Sequence, residues 1–417
     1  MTNKAEDRTF VRGTALVLAT AVALTGTGAT AAVAAGRDPQ DGLQREVARH
    51  VLAVGPPGYL ARIDDGRRVQ TLAAGVADRN TGRPLTARDQ FEAGSNTKTF
   101  TAVLILQQVD RGRLTLDAPV EKYLPGVVPN GEKISVRMLL NHSSGLFSYT
   151  GDPDFFADME KDPQHVHTEA ELLAIAFAHE PYFPPGQGWQ YSNTNYTLLG
   201  MILRKQTGKD MPALVEERIT RPLGLKHTYF ADPRATNTGP GYARGYAITY
   251  ANGTPQYTDT SNWPIGGWGG AAGAVITTAG DLSRFFSAVL QGRLFSQAQL
   301  KQMKTTVPLP ADFPIRGGYG LGMFRIDSPC GTVWGHGGDT MGHHSTAVAT
   351  GDGRRTAVTD VTGEPADLTE NPGVQRYYQA IVFGADTVTT CQMLGKPVPA
   401  DVLGDLRGDT PAAGVTK

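Results

Sequence analysis

The chain has 417 residues, 40% of them hydrophobic and 19% charged, with a formal net charge of −1. That length supports one large two-part domain or two ordinary ones, and the hydrophobic share supplies a sizeable core. Near-neutral charge without a basic run excludes nucleic acid as the main partner, because phosphate binding needs clustered lysine and arginine.

In chain order, Lys4, Arg8 and Arg12 precede an uncharged stretch from Gly13 to Gly36 that passes through Ala32-Val33-Ala34. A basic start, an apolar run and a small-residue end predict an export signal over residues 1–34, cleaved near Ala34. Its Gly, Thr and Ala content makes an uncleaved anchor the weaker alternative. The mature chain is therefore expected to be secreted, with no stable membrane span. Cleavage removes three basic and two acidic residues, taking the net charge from −1 to −2.

Residues 38–55 read as an opening helix, and 58–78 as two strands around a turn at Asp64-Asp65-Gly66. From Ser95 the pattern becomes helical, with Phe100, Val103, Leu104, Leu106, Gln107 and Val109 on one face and an end near Gly112. Further helical segments ("EAELLAIAFAHE", "NYTLLGMILRKQTG", "MPALVEERI") lie among Pro/Gly-rich loops. Residues 277–294 form another amphipathic helix, with Thr278 as its cap. Strand character returns in "GGYGLGMFRID", "GTVWGHGG" and "STAVATGDGRRTAVTDVTG", the last turning at Gly351-Asp352-Gly353. A final helix, "GVQRYYQAIVFGA", follows.

Strands at both ends with helices between predict one α/β (α+β) domain, residues 35–395. Its antiparallel sheet, flanked by helices, is built from both chain ends, with a mainly helical subdomain inserted over about 110–275. The tail, 396–417, is rich in Pro, Gly, Asp and Ala and is expected to be disordered. Cys330 and Cys391 are the only cysteines. In an oxidising compartment such a pair is expected to be bridged; two buried thiols are the alternative.

Three short motifs carry possible chemistry. In "GSNTK", Ser95 and Lys98 are three apart, which on a helix puts both on one face. A serine hydroxyl needs a base within hydrogen-bond reach, and a lysine supplies one when its pKa is lowered; an N-cap serine with a surface lysine is the plain alternative. In "QYSN", Tyr191 can take a proton only if nearby positive charge lowers its phenol pKa. Asn193 offers a donor and an acceptor for a substrate amide or for ordering Lys98. In "GHGGD", His336 is a potential cation beside Gly337 and Gly338, whose bare backbone lets a substrate lie against a strand edge. His343-His344 has no matching carboxylate or cysteine nearby in sequence, so no metal site is expected. Neither G-x-S-x-G nor H-E-x-x-H occurs.

S-x-x-K, Y-x-N and H-x-G in this order resemble the penicillin-recognising serine hydrolases: class C β-lactamases, DD-carboxypeptidases and their esterase relatives. "LLNHSSGL", residues 139–146, and "GWGGAAGAVITTAGDLSRFF" are similar to further segments of that family. The resemblance runs from about residue 40 to 390 and implies the β-lactamase/DD-peptidase fold without metal or organic cofactor. It implies Ser95 as nucleophile, with Lys98 and Tyr191 sharing the proton transfers and the choice of base left open. Asn193 would contact the acyl-side amide, His336 would supply positive potential near Tyr191, and the amides of Ser95 and Asp339 would form the oxyanion hole. Trp268 is a pocket wall or, equally, a core residue. The implied partner is a small-molecule or peptide substrate, a cell-wall peptide, ester or β-lactam, acted on by a monomer. A D-Ala-D-Ala carboxypeptidase is the first expectation and an esterase or D-amino-acid amidase the alternative, with a β-lactamase or an inert penicillin-binding module as lesser alternatives. The motif departs from the carboxypeptidases in three places. Gly337 replaces a hydroxyl that helps hold the substrate carboxylate, Asp339 stands where a second hydroxyl is frequent, and Arg325 is the nearest cation after Gly320-Leu321-Gly322.

Overall fold

The computed structural model describes residues 39–234, 239, 241–366 and 371–409. The expected export signal lies outside the described residues.

Nine strands form one antiparallel sheet among those residues. Their spatial order is Arg83–Pro84, Val69–Asp78, Gly58–Asp64, Thr356–Val361, His344–Ala349, Gly331–Asp339, Phe324–Ser328, Gly317–Tyr319 and Val307–Pro308. The expected hairpin turns where Asp65 Oδ1 accepts from the amides of Arg67 and Arg68. Gly58–Asp64 pairs with its hairpin partner on one edge and with Thr356–Val361 on the other. The sheet therefore closes only when both ends of the domain are present.

Alternation along Gly58–Asp64 assigns the two faces. Tyr59 and Ala61 join a core with Val47 and Val51 of the Pro39–Ala53 helix, Tyr377, Val388 and Leu406, whereas Leu60 joins the larger core on the other face. That larger core holds the Thr97–Asp110 and Ala279–Leu290 helices, the latter capped by Thr278, whose Oγ1 accepts from the Asp281 amide at 3.3 Å. One amphipathic face was expected for Thr97–Asp110. Instead every residue from Thr97 to Gln108 is buried, as befits a helix covered on all sides. Its threonines and glutamines spend their polar atoms inside the domain, for example Thr99 Oγ1 on Gly322 O at 2.6 Å and Thr101 Oγ1 on Ala271 O at 2.7 Å.

Between residues 110 and 275 the chain is mostly helix and loop, the longest helix being Asn193–Thr207, which stops at Gly208 with φ 68°. The same stretch also contributes a hairpin, Tyr246–Ala251 with Thr254–Asp259, joined in parallel by Glu364–Pro365. The C-terminal expectation needs correction. Residues Ala400–Arg407 form a helix that buries Val402 and Leu406, and Arg407 pairs with Glu46 at 2.8 Å. Two apolar residues four apart were enough to dock it despite the polar composition; residues 410–417 lie outside the described ones. Cys330 and Cys391 form a disulfide with Cα atoms 5.3 Å apart, tying the end of the Phe324–Ser328 hairpin to the Asp386–Leu394 helix.

Candidate active site

Ser95 lies in the middle of a 3-10 turn, Gly94–Asn96, that runs directly into the Thr97–Asp110 helix. It is partly exposed while Ala93, Gly94, Asn96 and Thr97 are buried. Gly94 has φ 51°, and a Cβ there would stand 2.8 Å from Asp339 O and 2.9 Å from Asp339 N. Gly338 is constrained from the opposite side, where a Cβ would come 2.0 Å from Ala93 O. Two residues without side chains thus let the turn and the end of the Gly331–Asp339 strand touch backbone to backbone. Asn96 pins the contact, its Nδ2 donating to Ala93 O and to Ser345 Oγ, both at 3.1 Å. The Asp339 amide is thereby held beside the residue that precedes Ser95, a Cβ on Gly94 standing 2.9 Å from it.

Lys98 is fully buried, and its Nζ donates to Ser95 Oγ at 2.8 Å and to Ala272 O at 3.0 Å. The ring centres of Tyr191 and Tyr196 lie 4.7 and 5.5 Å from the same nitrogen. Burial drives the Lys98 pKa well below the ordinary lysine value, the charge of Asp339 opposing it. A capping serine with a surface lysine is therefore not what the chain builds. The site favours a neutral amine with a lone pair beside a serine hydroxyl.

Tyr191 has the opposite problem. Burial raises its phenol pKa well above 10, and the Ser95 hydroxyl only partly offsets this. Its Oη is buried without a hydrogen bond of good geometry, although Ser95 is a polar neighbour. Tyr191 is thus a neutral phenol beside a neutral amine.

The ring of Tyr191 rests on His142, with centroids 4.3 Å apart. His142 is fully buried and holds φ 62°, a left-handed backbone that costs a non-glycine residue about 1–3 kcal/mol. Its Nδ1 accepts from the Ser192 amide at 3.1 Å and sits 3.2 Å from Asn195 Nδ2, and its carbonyl accepts from the Gln190 amide at 3.1 Å. Both the ring and the backbone of His142 hold the 190–192 turn that carries Tyr191. "LLNHSSGL" supported the family resemblance, yet nothing in its spacing exposed this role, because the partner turn is some fifty residues away in sequence.

His336 overturns an expectation. It is 2% exposed, its Nε2 is 3.0 Å from Tyr319 Oη, and its Nδ1 is 2.5 Å from Gly337 O. A carbonyl can only accept, so Nδ1 carries the proton and Nε2 accepts from the phenol. Burial and nearby Lys98 push the His336 pKa down to about 3. The imidazole is neutral at physiological pH and supplies no cation near Tyr191, whose ring centre lies 6.1 Å away.

The remaining residues form the rim. Asn193 begins the Asn193–Thr207 helix and donates from Nδ2 to Thr150 Oγ1 at 2.9 Å, so its amide is oriented by Thr150 rather than by Lys98. Gly337 is nearly open, with the nearest atom to a Cβ at 3.9 Å. The Asp339 side chain is 50% exposed and turns to His344, Oδ1 to Nδ1 at 2.6 Å. His344 Nε2 lies 3.3 Å from Asp386 Oδ2, and the two carboxylates hold the His344 pKa well above its ordinary value against burial. Buried Glu364, which accepts from Tyr377 and Tyr378 at 2.8 and 2.9 Å, belongs to the same cluster. His343 likewise faces Asp360 at 3.3 Å. The carboxylate partners not expected for His343-His344 are Asp339, five residues upstream, with Asp360 and Asp386 brought in from later in the chain. Arg325 is engaged by Asp327 at 2.8 Å. Trp268 is 9% exposed within the large core, its carbonyl accepting from Tyr149 Oη at 2.8 Å, with the half-exposed Phe156 edge-on at 6.3 Å.

The model of the family described as Beta-lactamase matches residues 45–376. Penicillin-binding protein 4* of Bacillus subtilis is 29% identical over 317 residues, 74% of this chain and 68% of its own length. The D-stereospecific amidohydrolase of a Streptomyces species superimposes with a TM-score of 0.70 at 39% identity, covering 78% of this chain and 94% of that one. The D-amino acid amidase of Ochrobactrum anthropi, solved with L-phenylalanine amide, gives 0.72 at 26% identity, over 89% and 99%.

Proposed function

The chain belongs to the beta-lactamase family of serine hydrolases, and from that premise we propose that it hydrolyses amides or short peptides of D-amino acids whose amino group is free. Ser95 Oγ attacks the carbonyl while neutral Lys98 Nζ takes its proton, and the oxyanion forms between the amides of Ser95 and Asp339. Tyr191, a buried neutral phenol, gives its proton to the leaving amine and is reprotonated from Lys98. Water then repeats the cycle on the acyl-enzyme. Lys98 is the base in this reading because burial disfavours both the ammonium and the phenolate, leaving the amine as the acceptor.

The observation that carries the substrate class is the charge at the strand end. Asp339, Asp386 and Glu364 set three carboxylates against one imidazolium, His344, where a carboxypeptidase needs donors for a terminal carboxylate. An anionic cleft end favours an ammonium and opposes a carboxylate. Residues 152–162, which meet Trp268 through Phe156, add Asp152, Asp154, Asp158, Glu160 and Asp162 against Lys161. The 39% identity with a D-stereospecific amidohydrolase supports the same class.

A D-Ala-D-Ala carboxypeptidase remains the second reading, favoured by the turn of Asp339 onto His344 instead of into the cleft. Export through residues 1–34 belongs to both readings and is tested by the N-terminal sequence of the protein recovered from culture medium.

The deciding experiment compares ammonia release from D-phenylalanine amide and its N-acetyl derivative with D-alanine release from an N-acylated D-Ala-D-Ala peptide. Turnover of the free-amine amide, lost on acetylation, supports the proposal. D-Alanine release without amide turnover transfers the enzyme to the second reading. Turnover of p-nitrophenyl esters alone makes it an esterase.

A further inference from the structure

Away from the nucleophile, the sequence "HVHTEAE" gathers three metal-ligating side chains that the hydrolytic chemistry does not use. His165 and His167 are two apart in the loop ahead of the Glu169–Phe177 helix, and their ring centres lie 4.4 Å apart. Val166 between them lies against Gly267, where a Cβ would meet its Cα and Cγ1 at 3.2 Å. Glu171 arrives from the first turn of the Glu169–Phe177 helix, held by a capping box: its Oε2 accepts from Thr168 N at 2.7 Å and Thr168 Oγ1 at 2.9 Å. The other oxygen, Oε1, faces His165 Nε2 at 3.9 Å. One ring nitrogen of each histidine and a Glu171 oxygen all lie within 4.8 Å of one another.

We propose that His165, His167 and Glu171 form a binding site for a divalent transition-metal ion of the zinc class, which would brace this loop against the Ile265–Gly267 turn beside the catalytic wall. Two imidazoles and a carboxylate are a ligand set suited to such an ion, with water completing the shell. Ligand atoms on a tetrahedral zinc stand about 3.3 Å apart, so the loop has only to tighten modestly, and His165 and Glu171 are exposed enough to do so. His167 is the anchor: its Nε2 is buried without a hydrogen-bond partner, and its ring packs on Phe155 at 5.3 Å. The other such group, Asp339, His344 and Glu364, is a poorer host because its atoms already serve the His344 pair and the two tyrosines.

The inference is independent of the substrate proposed above and is tested on tag-free, EDTA-treated protein without substrate. Zn²⁺ is titrated calorimetrically, and Co²⁺ is followed by its visible d–d bands. One equivalent should bind saturably at micromolar metal and raise the melting temperature. His165→Ala and Glu171→Gln should each weaken binding about tenfold or more, whereas His227→Ala should leave it unchanged. Failure to saturate by millimolar metal, or wild-type affinity in both variants, would overturn the site. So would binding that survives both substitutions and disappears in His344→Gln, since that would move the metal to the strand end.

Discussion

The two walls of the cleft obey opposite rules. Around Ser95, polar side chains are largely buried: Lys98 bonds to Ser95 and to Ala272 O, Asn96 and Ser345 lock a glycine-on-glycine contact, and His142 holds the tyrosine turn. Here chemistry is set by withholding water, which lowers the pKa values of Lys98 and His336. Toward solvent, the Asp339 side chain is half exposed, the 152–162 segment is dense in acids, and His165 and Glu171 are exposed. Charge, not packing, decides what that wall accepts. One fold therefore keeps its reaction constant on the dry side while its substrate drifts on the wet side.

The sharpest test of the dry wall is Lys98→Met. Activity should fall about 10²- to 10⁴-fold, as loss of a positioned base predicts. The melting temperature should hold or rise, because a buried amine is exchanged for an apolar chain of similar length. In the wild type, kcat/KM should decline on the acid side as Lys98 becomes protonated, at a pH below the ordinary lysine range because burial lowers its pKa. A melting point that drops with activity would mean that Lys98 is structural.

Neighbouring glycines separate the walls next. Gly338→Ala forces a Cβ onto Ala93 O and should cost about 10²–10³ in kcat by displacing an oxyanion donor. Gly337→Ala meets nothing closer than 3.9 Å and should stay within about 0.5 kcal/mol in stability. Equal losses in the two variants would erase the distinction.

On the wet side, Asp339→Ser should shift relative kcat/KM from free-amine toward carboxylate-ended substrates by about fivefold, the worth of a partly exposed charge. The smallest effect is expected from His344→Gln. The folded His344 pKa lies above its unfolded value, so its ion pairs stabilise fully below about pH 6.5 and fade as pH rises through the raised value. The variant should lose stability at pH 6 and show a flatter decline toward alkaline pH, measured by thermal unfolding.

Much of the fold was readable because its elements carry strong periodicity or turn chemistry: the Asp64-Asp65-Gly66 hairpin, the Thr278 cap and the strands around Gly351-Asp352-Gly353. Ser95 and Lys98 were readable as spacing on one helix, and Cys330 with Cys391 as the only two cysteines. What escaped depends on environment. His336 looked cationic because its ordinary pKa permits it, and only burial among Tyr319, Phe324 and Tyr191 removes the charge. Asp339 looked like a hazard to substrate because its partner, Asp386 behind it, and Glu364 come from other strands and helices. The His142 contribution rests on a left-handed backbone that histidine seldom adopts. The Ala400–Arg407 helix was masked by its polar composition.

The Gly58–Asp64 strand has its second edge filled by Thr356–Val361. Nearly 300 residues separate them, about 15–60 s of synthesis at 5–20 residues per second. Until then the strand has an open edge and half a core, and the Tyr59 hydroxyl waits for Gln44 and Thr389 at opposite ends of the chain. Such long-range closure makes folding slow. Completion of the sheet therefore waits on the last of its strands to be made.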